Sequence, residues 1–255
     1  MSLIDHLTAP APRLILRLVK FASLLKGFDK STETITTICE IGPGLGDAAS
    51  LAASKLSPAS IDLYESSDDA RDILSRRFSN NTNIDVHKDF ASAKKQYDVA
   101  LCFEVLEHIE NDLVFMEQIN KTIKNGGVFC GSVPCYMSKW QAVDELAGHY
   151  RRYEADELRH KLEKAGFTDI KIHTYGFPLI NILYPWRQYY YSKLLSKRND
   201  HDKDLATAKS GISRGLALSF NKKFVYTVVT AFSWFQSIPG LTKLGDGFVF
   251  ACKKS

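Results

Sequence analysis

Ile38-Cys39-Glu40-Ile41-Gly42-Pro43-Gly44-Leu45-Gly46-Asp47 is the stretch whose reading decides the fold. The β-branched run Thr34-Ile35-Thr36-Thr37-Ile38 leads into it and predicts a buried strand, and a helical run over 48–56 leaves it. Glycines at three alternate positions let the backbone turn sharply and approach a ligand that any Cβ would keep away. The helix behind them offers its unpaired N–H groups to that ligand. Strand, loop and helix together predict a nucleotide-type cradle.

The spacing narrows the ligand. A dinucleotide loop reads G-x-G-x-x-G and seats a pyrophosphate on the helix N-terminus. Here the third glycine comes one residue early, and Asp47 puts negative charge where a phosphate would sit. Glu40, just ahead of the loop, is equally unsuited to an anion. An acidic collar favours a ligand with an ammonium group and no phosphate. At this point the chain resembles the class I S-adenosylmethionine (SAM)-dependent methyltransferases, whose first motif reads acid-x-G-x-G-x-G. The resemblance implies SAM as the cofactor, held by Glu40, Gly42, Pro43, Gly44 and Gly46.

Outward from the loop, residues 61–65 alternate as a second strand ending in Glu65. This places a carboxylate roughly 20 residues past the glycines, the spacing at which a strand-tip acid grips ribose hydroxyls. Ser66 follows it as a further cofactor contact. A helix over 68–78 and a strand over 84–87 come next. In the resembled family an Asp at the end of that strand hydrogen-bonds the adenine amino group and the next apolar residue packs on the ring, a pattern that Asp89 and Phe90 match. Residues 97–103 form the most continuous apolar strand, so they predict the centre of a sheet covered on both faces. They run into Glu104-Val105-Leu106-Glu107-His108, which resembles SAM methyltransferases of the ubiquinone-biosynthesis type; there the string lies beside the methionine half of the cofactor, implicating Phe103 and Glu104.

A capped helix from 111 or 112 to 124, ending at Asn125-Gly126-Gly127, precedes a fifth strand over 128–134. A helix over 154–165 and strands over 168–174 and 247–253 complete the pattern. Alternating strands and helices predict an α/β fold: a doubly wound, seven-stranded, mostly parallel sheet. The resemblance makes it the Rossmann-like methyltransferase fold, with the last strand antiparallel beside the sixth. The departure is an α-helical insertion of about seventy residues where a hairpin of 2–5 residues would serve. The expected organisation is an amphipathic helix region (1–33), a SAM-binding domain (34–175 plus 247–255) and the insertion (176–246).

With 255 residues, 45% hydrophobic and 24% charged, the chain has room for one large domain and an appendage. Its five cysteines sit mostly in strand-like runs and read as reduced core thiols, the usage of a cytoplasmic protein. No signal peptide is evident, and no run reaches the ~20 apolar residues a spanning helix needs. Between Gly176 and Gly247 ten Lys or Arg face four Asp, a net +6, so the remainder carries −2 of the overall +4. Residues 14–26 read as an amphipathic helix that covers a sheet edge or the cofactor pocket; the sharper reading is contact with a membrane or a lipid-like acceptor. The insertion divides into an aromatic helix (179–197), a charged linker (198–211) and an apolar helix (216–238). It holds 12 of the 29 aromatics; the commonest outcome for such a stripe is burial against the parent domain, and the functional readings are a lid, an acceptor-binding element, a dimer face or a peripheral contact with the inner face of a membrane. Of these the lid over the acceptor side is favoured. Monomer and homodimer both fit.

Methyl transfer from a sulfonium is an in-line displacement that needs positioning, water exclusion and, for a hydroxyl, removal of a proton. His149 is the first candidate base and His108 the second, because imidazole titrates near neutrality. Tyr150, Arg151, Arg152 and Tyr153 beside it, with Trp186 and Tyr190 of the insertion, are the candidate acceptor contacts, and Arg151 and Arg152 suit an acidic or phosphate-bearing group. No metal ligand set is expected. The aromatic insertion favours a hydrophobic small-molecule acceptor, phenolic, lipid-like or carrier-tethered. An NAD(P)-dependent oxidoreductase, or a scaffold that has lost its chemistry, is the rival. A nucleic-acid acceptor is not expected, since the chain lacks the N-P-P-Y or D-P-P-Y tetrad and a Pro-Cys nucleophile in the fourth motif.

Overall fold

A computed structural model describes residues 3–8, 11–28, 35–93, 95–196, 222–237 and 244–255. Seven strands form one sheet in the order β3-β2-β1-β4-β5-β7-β6. They are β1 (Thr37–Ile41), β2 (Ser60–Tyr64), β3 (Ile84–His87), β4 (Tyr97–Phe103), β5 (Ile123–Pro134), β6 (Phe167–Tyr175) and β7 (Gly247–Lys254). β1 to β5 pair in parallel, and β7 enters antiparallel between β5 and β6. The helices are α1 (Pro12–Phe28), α2 (Asp47–Leu56), α3 (Asp68–Arg77), α4 (Asp112–Thr122), α5 (Ala142–Ala147), α6 (Ala155–Lys164), α7 (Leu179–Leu195) and α8 (Lys222–Ser233). The doubly wound, mostly parallel arrangement read from the alternation is the observed one.

Two boundaries differ for physical reasons. β1 is shifted towards the glycines, because Cys39, Glu40 and Ile41 pair with Asp62–Tyr64 on one side and Ala100–Cys102 on the other. The N–H groups of Thr36 and Thr37 are instead capped by the Asp98 carboxylate at 2.9 and 2.8 Å. β5 starts at Ile123, where α4 ends, and a register shift opposite Tyr97 and Val99 absorbs the Asn125-Gly126-Gly127 turn with Gly126 at φ +75°.

One core layer joins α1, α2 and α8 to the sheet; the other joins α4 and α6 to its opposite face. Leu14, Ile15, Leu16, Leu18, Phe21 and Leu25 of α1 are all buried, and Val225 and Val229 of α8 are buried in the same layer. The apolar face of α1 is therefore spent inside the protein, which removes its reading as a membrane contact, and α1 is part of the sheet domain's core. α7 buries Ile180 and leaves Ile182, Trp186, Tyr189, Tyr190 and Leu194 exposed, a stripe at helical spacing. The linker expected over 198–211 and the start of the helix expected from 216 lie outside the described residues. Among the described residues no helix is long and apolar enough to cross a membrane. All five cysteines are buried and unbridged, as their strand positions predicted.

Candidate active site

The parallel strands end together at one edge, and the loops there hold the predicted residues. Gly42, Gly44 and Gly46 stand at φ +64°, +55° and +76°, the left-handed region in which glycine is unstrained. A Cβ on Gly42 would lie 2.5 Å from Val105 Cγ2, so the glycine loop packs directly on the loop after β4. Glu40 is 2% exposed, Ala49 N–H donates to its carboxylate, and its Oε2 has no partner. Burial, then the charge of Asp47, pushes its pKa up to about 8, opposed by the Ala49 N–H and by Arg17 and Arg77. Glu65, at the tip of β2, accepts N–H groups from Gly44 at 3.1 Å and Ser67 at 3.0 Å, pinning the glycine loop to the second strand. Asp89 is at the tip of β3, exposed, accepting from Ala91 N at 2.9 Å. Phe90 packs edge-on against Tyr64, and Ser66 is exposed with its carbonyl bonded by Arg71.

Asp47 corrects one expectation. Its carboxylate takes Arg77 at 2.9 Å and the N–H of Thr8 at 2.9 Å, so its charge is compensated within the protein. Of the acids around the cradle, Glu40, Asp47 and Glu65, it is Glu40 that keeps a buried carboxylate oxygen without a partner. A buried carboxylate oxygen with no donor is the partner an ammonium group lacks, and the cradle fits a ligand that carries one.

Beyond β4, Glu104 sits at φ +58°, an uncommon conformation for a residue with a side chain. Arg13 of α1 forms an ion pair with it, Arg17 approaches to 3.6 Å, and Ser132 Oγ donates at 2.7 Å. Burial pushes the Glu104 pKa up, and Arg13 and Arg17 more than offset it, holding the carboxyl well below the usual range. Phe103 lies in the core, edge-on to Phe21, with Arg17 over its ring at 5.9 Å. Three residues on, Glu107 is fully buried and neither of its oxygens has a hydrogen-bond partner. Burial, then the charge of Glu104, raises its pKa far above the usual range. Within one loop the two carboxyls are thus shifted in opposite directions, Glu104 downward and Glu107 upward.

Opposite it stands the His149 segment. Tyr150 N–H donates to Glu107 O at 2.8 Å, which ties the two loops together. His149 Nδ1 meets Asp144 Oδ1 at 2.8 Å, and its Nε2 faces Glu107 Oε1 at 3.9 Å. The His108 and His149 rings lie edge-to-face with centroids 4.6 Å apart. His108 also bonds the Ala147 backbone, and burial, then His149, lowers its pKa to about 4. Donor atoms of Glu107, His108 and His149 lie within 4.8 Å of one another, a set able to hold a metal ion although no ligand spacing in the sequence points to one.

The structure brings both candidate bases together and disperses the acceptor contacts. Arg152 is buried and divides its guanidinium among Asp144, Asp246 and the Cys135 carbonyl. Tyr153 is buried with its hydroxyl donating to Asp112 at 2.7 Å. Arg151 holds the Ile109 and Glu110 carbonyls and pairs with Asp112 at 3.0 Å. These three spend their polar atoms on the fold, as does the backbone N–H of the half-exposed Tyr150. Trp186 is 61% exposed and Tyr190 43%, so neither lines the site as an inner wall. Arg13, Arg17, Glu107 and Asp144 were missed as site residues. No local signal marks Arg13, Arg17 or Asp144, because each meets its partner only through tertiary packing.

A family model described as a methyltransferase domain matches residues 7–172. A search of the curated proteins found no match. Among solved structures, the chain is similar to a Haemonchus contortus phosphoethanolamine N-methyltransferase 2 solved with S-adenosyl-L-methionine, at 15% identity and TM-score 0.57, covering 92% of this chain and 52% of that one. It is also similar to the CurJ carbon methyltransferase, at 12% identity and TM-score 0.57, over 94% and 54% of the two chains. A third, the [4+2]-cyclase SpnF, aligns at 15% identity and TM-score 0.52 over 92% and 80%. The chain spans about half the length of the first two, and at these identities the likeness is one of fold.

Proposed function

The chain belongs to the methyltransferase-domain family, and on that premise we propose that it transfers the methyl group of SAM to a hydrophobic small-molecule or carrier-bound acceptor seated between the 104–108 loop and α5. The observation that carries the cofactor half is the partnerless Oε2 of buried Glu40 at the end of β1, beside three left-handed glycines. Glu40 would take the ammonium group, the glycine loop would lie under the cofactor, Glu65 would take ribose hydroxyls, and Asp89 with Phe90 the adenine edge. When bound, SAM supplies an electrophilic methyl carbon on a sulfonium. The protein's share is to align the acceptor atom with that carbon, exclude water and accept or stabilise a proton. The last task falls to the cluster of Glu107, His108 and His149, with Asp144 fixing the imidazole of His149.

The acceptor class is inferred from α7. Its exposed stripe, with Phe224 and Trp234 of the α8 region also exposed, supports an apolar partner reached from outside, a lipid-like acceptor or the surface that carries it. The outward aromatics weigh for a surface contact and against a lid whose aromatics line a tunnel. Calorimetry with S-adenosylhomocysteine (SAH) and NAD tests the cofactor reading. One SAH bound per chain with no heat from NAD is expected; the reverse pattern would return the oxidoreductase, and binding of neither would leave a scaffold.

A further inference from the structure

We propose that Glu107, His108 and His149 form a binding site for a divalent transition-metal cation, and that the cation holds the acceptor's oxygen. The inference rests on the methyltransferase reading for the acceptor, but the cation site itself stands on geometry. A buried carboxylate with no donor is rare in a folded chain, and Glu107 has two such oxygens. Oε1 faces His149 Nε2 at 3.9 Å, too far for a hydrogen bond, and one donor atom from each of the three residues falls within 4.8 Å of the others. Bonds of about 2.1 Å to one cation would bring neighbouring donors to about 3–3.5 Å, a contraction that side-chain rotation can supply.

The surroundings are those of ligating side chains. A metal-bound histidine normally gives its other ring nitrogen to a carboxylate or a carbonyl, which sets the tautomer. His149 gives Nδ1 to Asp144 at 2.8 Å, and His108 bonds the Ala147 backbone. Asp144 is itself held by Arg152 and by the Gln141 N–H at 2.7 Å, so His149 is fixed before any ion arrives. The 2.8 Å bond from Tyr150 N–H to Glu107 O joins the two ligand-bearing loops. Two imidazoles and one carboxylate suit manganese, iron or zinc rather than calcium, and leave coordination positions open for a substrate oxygen. His149 is then a ligand and not a free base. A hydroxyl on the cation gives its proton to water more readily; its oxygen forms the bond to the methyl carbon while the carbon–sulfur bond breaks, leaving that electron pair on sulfur.

The test uses the full chain without a histidine tag, stripped with EDTA and titrated calorimetrically with manganese and with zinc chloride. One cation per chain is expected. Glu107→Gln and His149→Ala should each weaken binding at least tenfold, Asp144→Asn by about 10–100-fold, and the distant His87→Ala not at all. No saturable binding, or unchanged affinity in both ligand variants, overturns the site. If those variants do not fold by circular dichroism, the wild type decides: cobalt loading should shift ring-proton resonances of two histidines strongly, and no such shift rejects the site. SAH titration of the same samples separates the two readings. SAH binding without cation binding rejects only the cation, whereas cation binding without SAH binding supports the site and rejects the cofactor assignment.

Discussion

The glycine-loop side and the His149 side of this molecule share one sheet edge but are built differently. The first, proposed above for the cofactor, is assembled from strand tips, with Glu40, the glycines, Glu65 and Asp89 each ending or following a parallel strand. The second, proposed for the acceptor, gathers Arg13 and Arg17 from α1, Glu104 to His108 from the loop after β4, Asp144 and His149 around α5, and Asp246 from the approach to β7. The first is set by local backbone chemistry, the second by long-range ion pairs. Substitutions should therefore act differently on the two sides.

The largest effect is expected in the glycine loop. Gly44→Val places a β-branched side chain at φ +55°, a conformation closed to it without strain, and should abolish SAH binding while the circular dichroism spectrum stays unchanged. Undiminished affinity would remove the cofactor assignment and with it the comparison. Next, His149→Ala should lower turnover by about 10²–10⁴-fold, the range for losing proton handling at a site, whether the imidazole takes the proton or holds the cation that acidifies the acceptor, with SAH affinity intact. A loss under tenfold in single-turnover assays would move proton handling away from this cluster.

Glu40 sharpens the contrast through pH. Its pKa is about 8 in the folded chain against an ordinary 4.5. Between those values the folded chain keeps a proton that the unfolded chain has lost, so stability without cofactor falls as pH rises from 4.5 through 8. An ammonium group set against Glu40 favours the carboxylate, so binding expels that proton. SAH affinity should rise about tenfold per pH unit below the Glu40 pKa and level off above it. A flat wild-type profile, or a slope that survives Glu40→Gln, would assign the partnerless oxygen another role.

The smallest effect concerns the outer face of α7. Lys193 and Lys223 are exposed near the aromatic residues, whereas Arg187 turns inward to Asp246 at 3.6 Å. With about 1 kcal/mol per basic residue near an anionic surface, binding should be weak and salt-sensitive. Flotation with anionic vesicles at low salt, lost at high salt and in Trp186→Ala/Tyr189→Ala, is the expected result. No flotation at either salt would leave the stripe without a lipid partner.

The sequence by itself determined the sheet, the glycine cradle and the strand-tip acids, because hydrophobic alternation, glycine spacing and strand-end position are properties of consecutive residues. His149 stands out in the sequence as a candidate only by the type of its side chain, an imidazole that titrates near neutrality. Only the tertiary structure decided what surrounds these groups. Asp47 lost its expected part because Arg77 and Thr8 reach it from distant segments. Arg152 and Tyr153 became struts because Asp144, Asp246 and Asp112 converge on them. Glu104 and Glu107, three residues apart and identical in type, are shifted in opposite directions because Arg13 pairs with the first and burial without an ion pair to an arginine governs the second. Burial and charge neighbours are set by packing across the chain, and spacing along it carries no record of them.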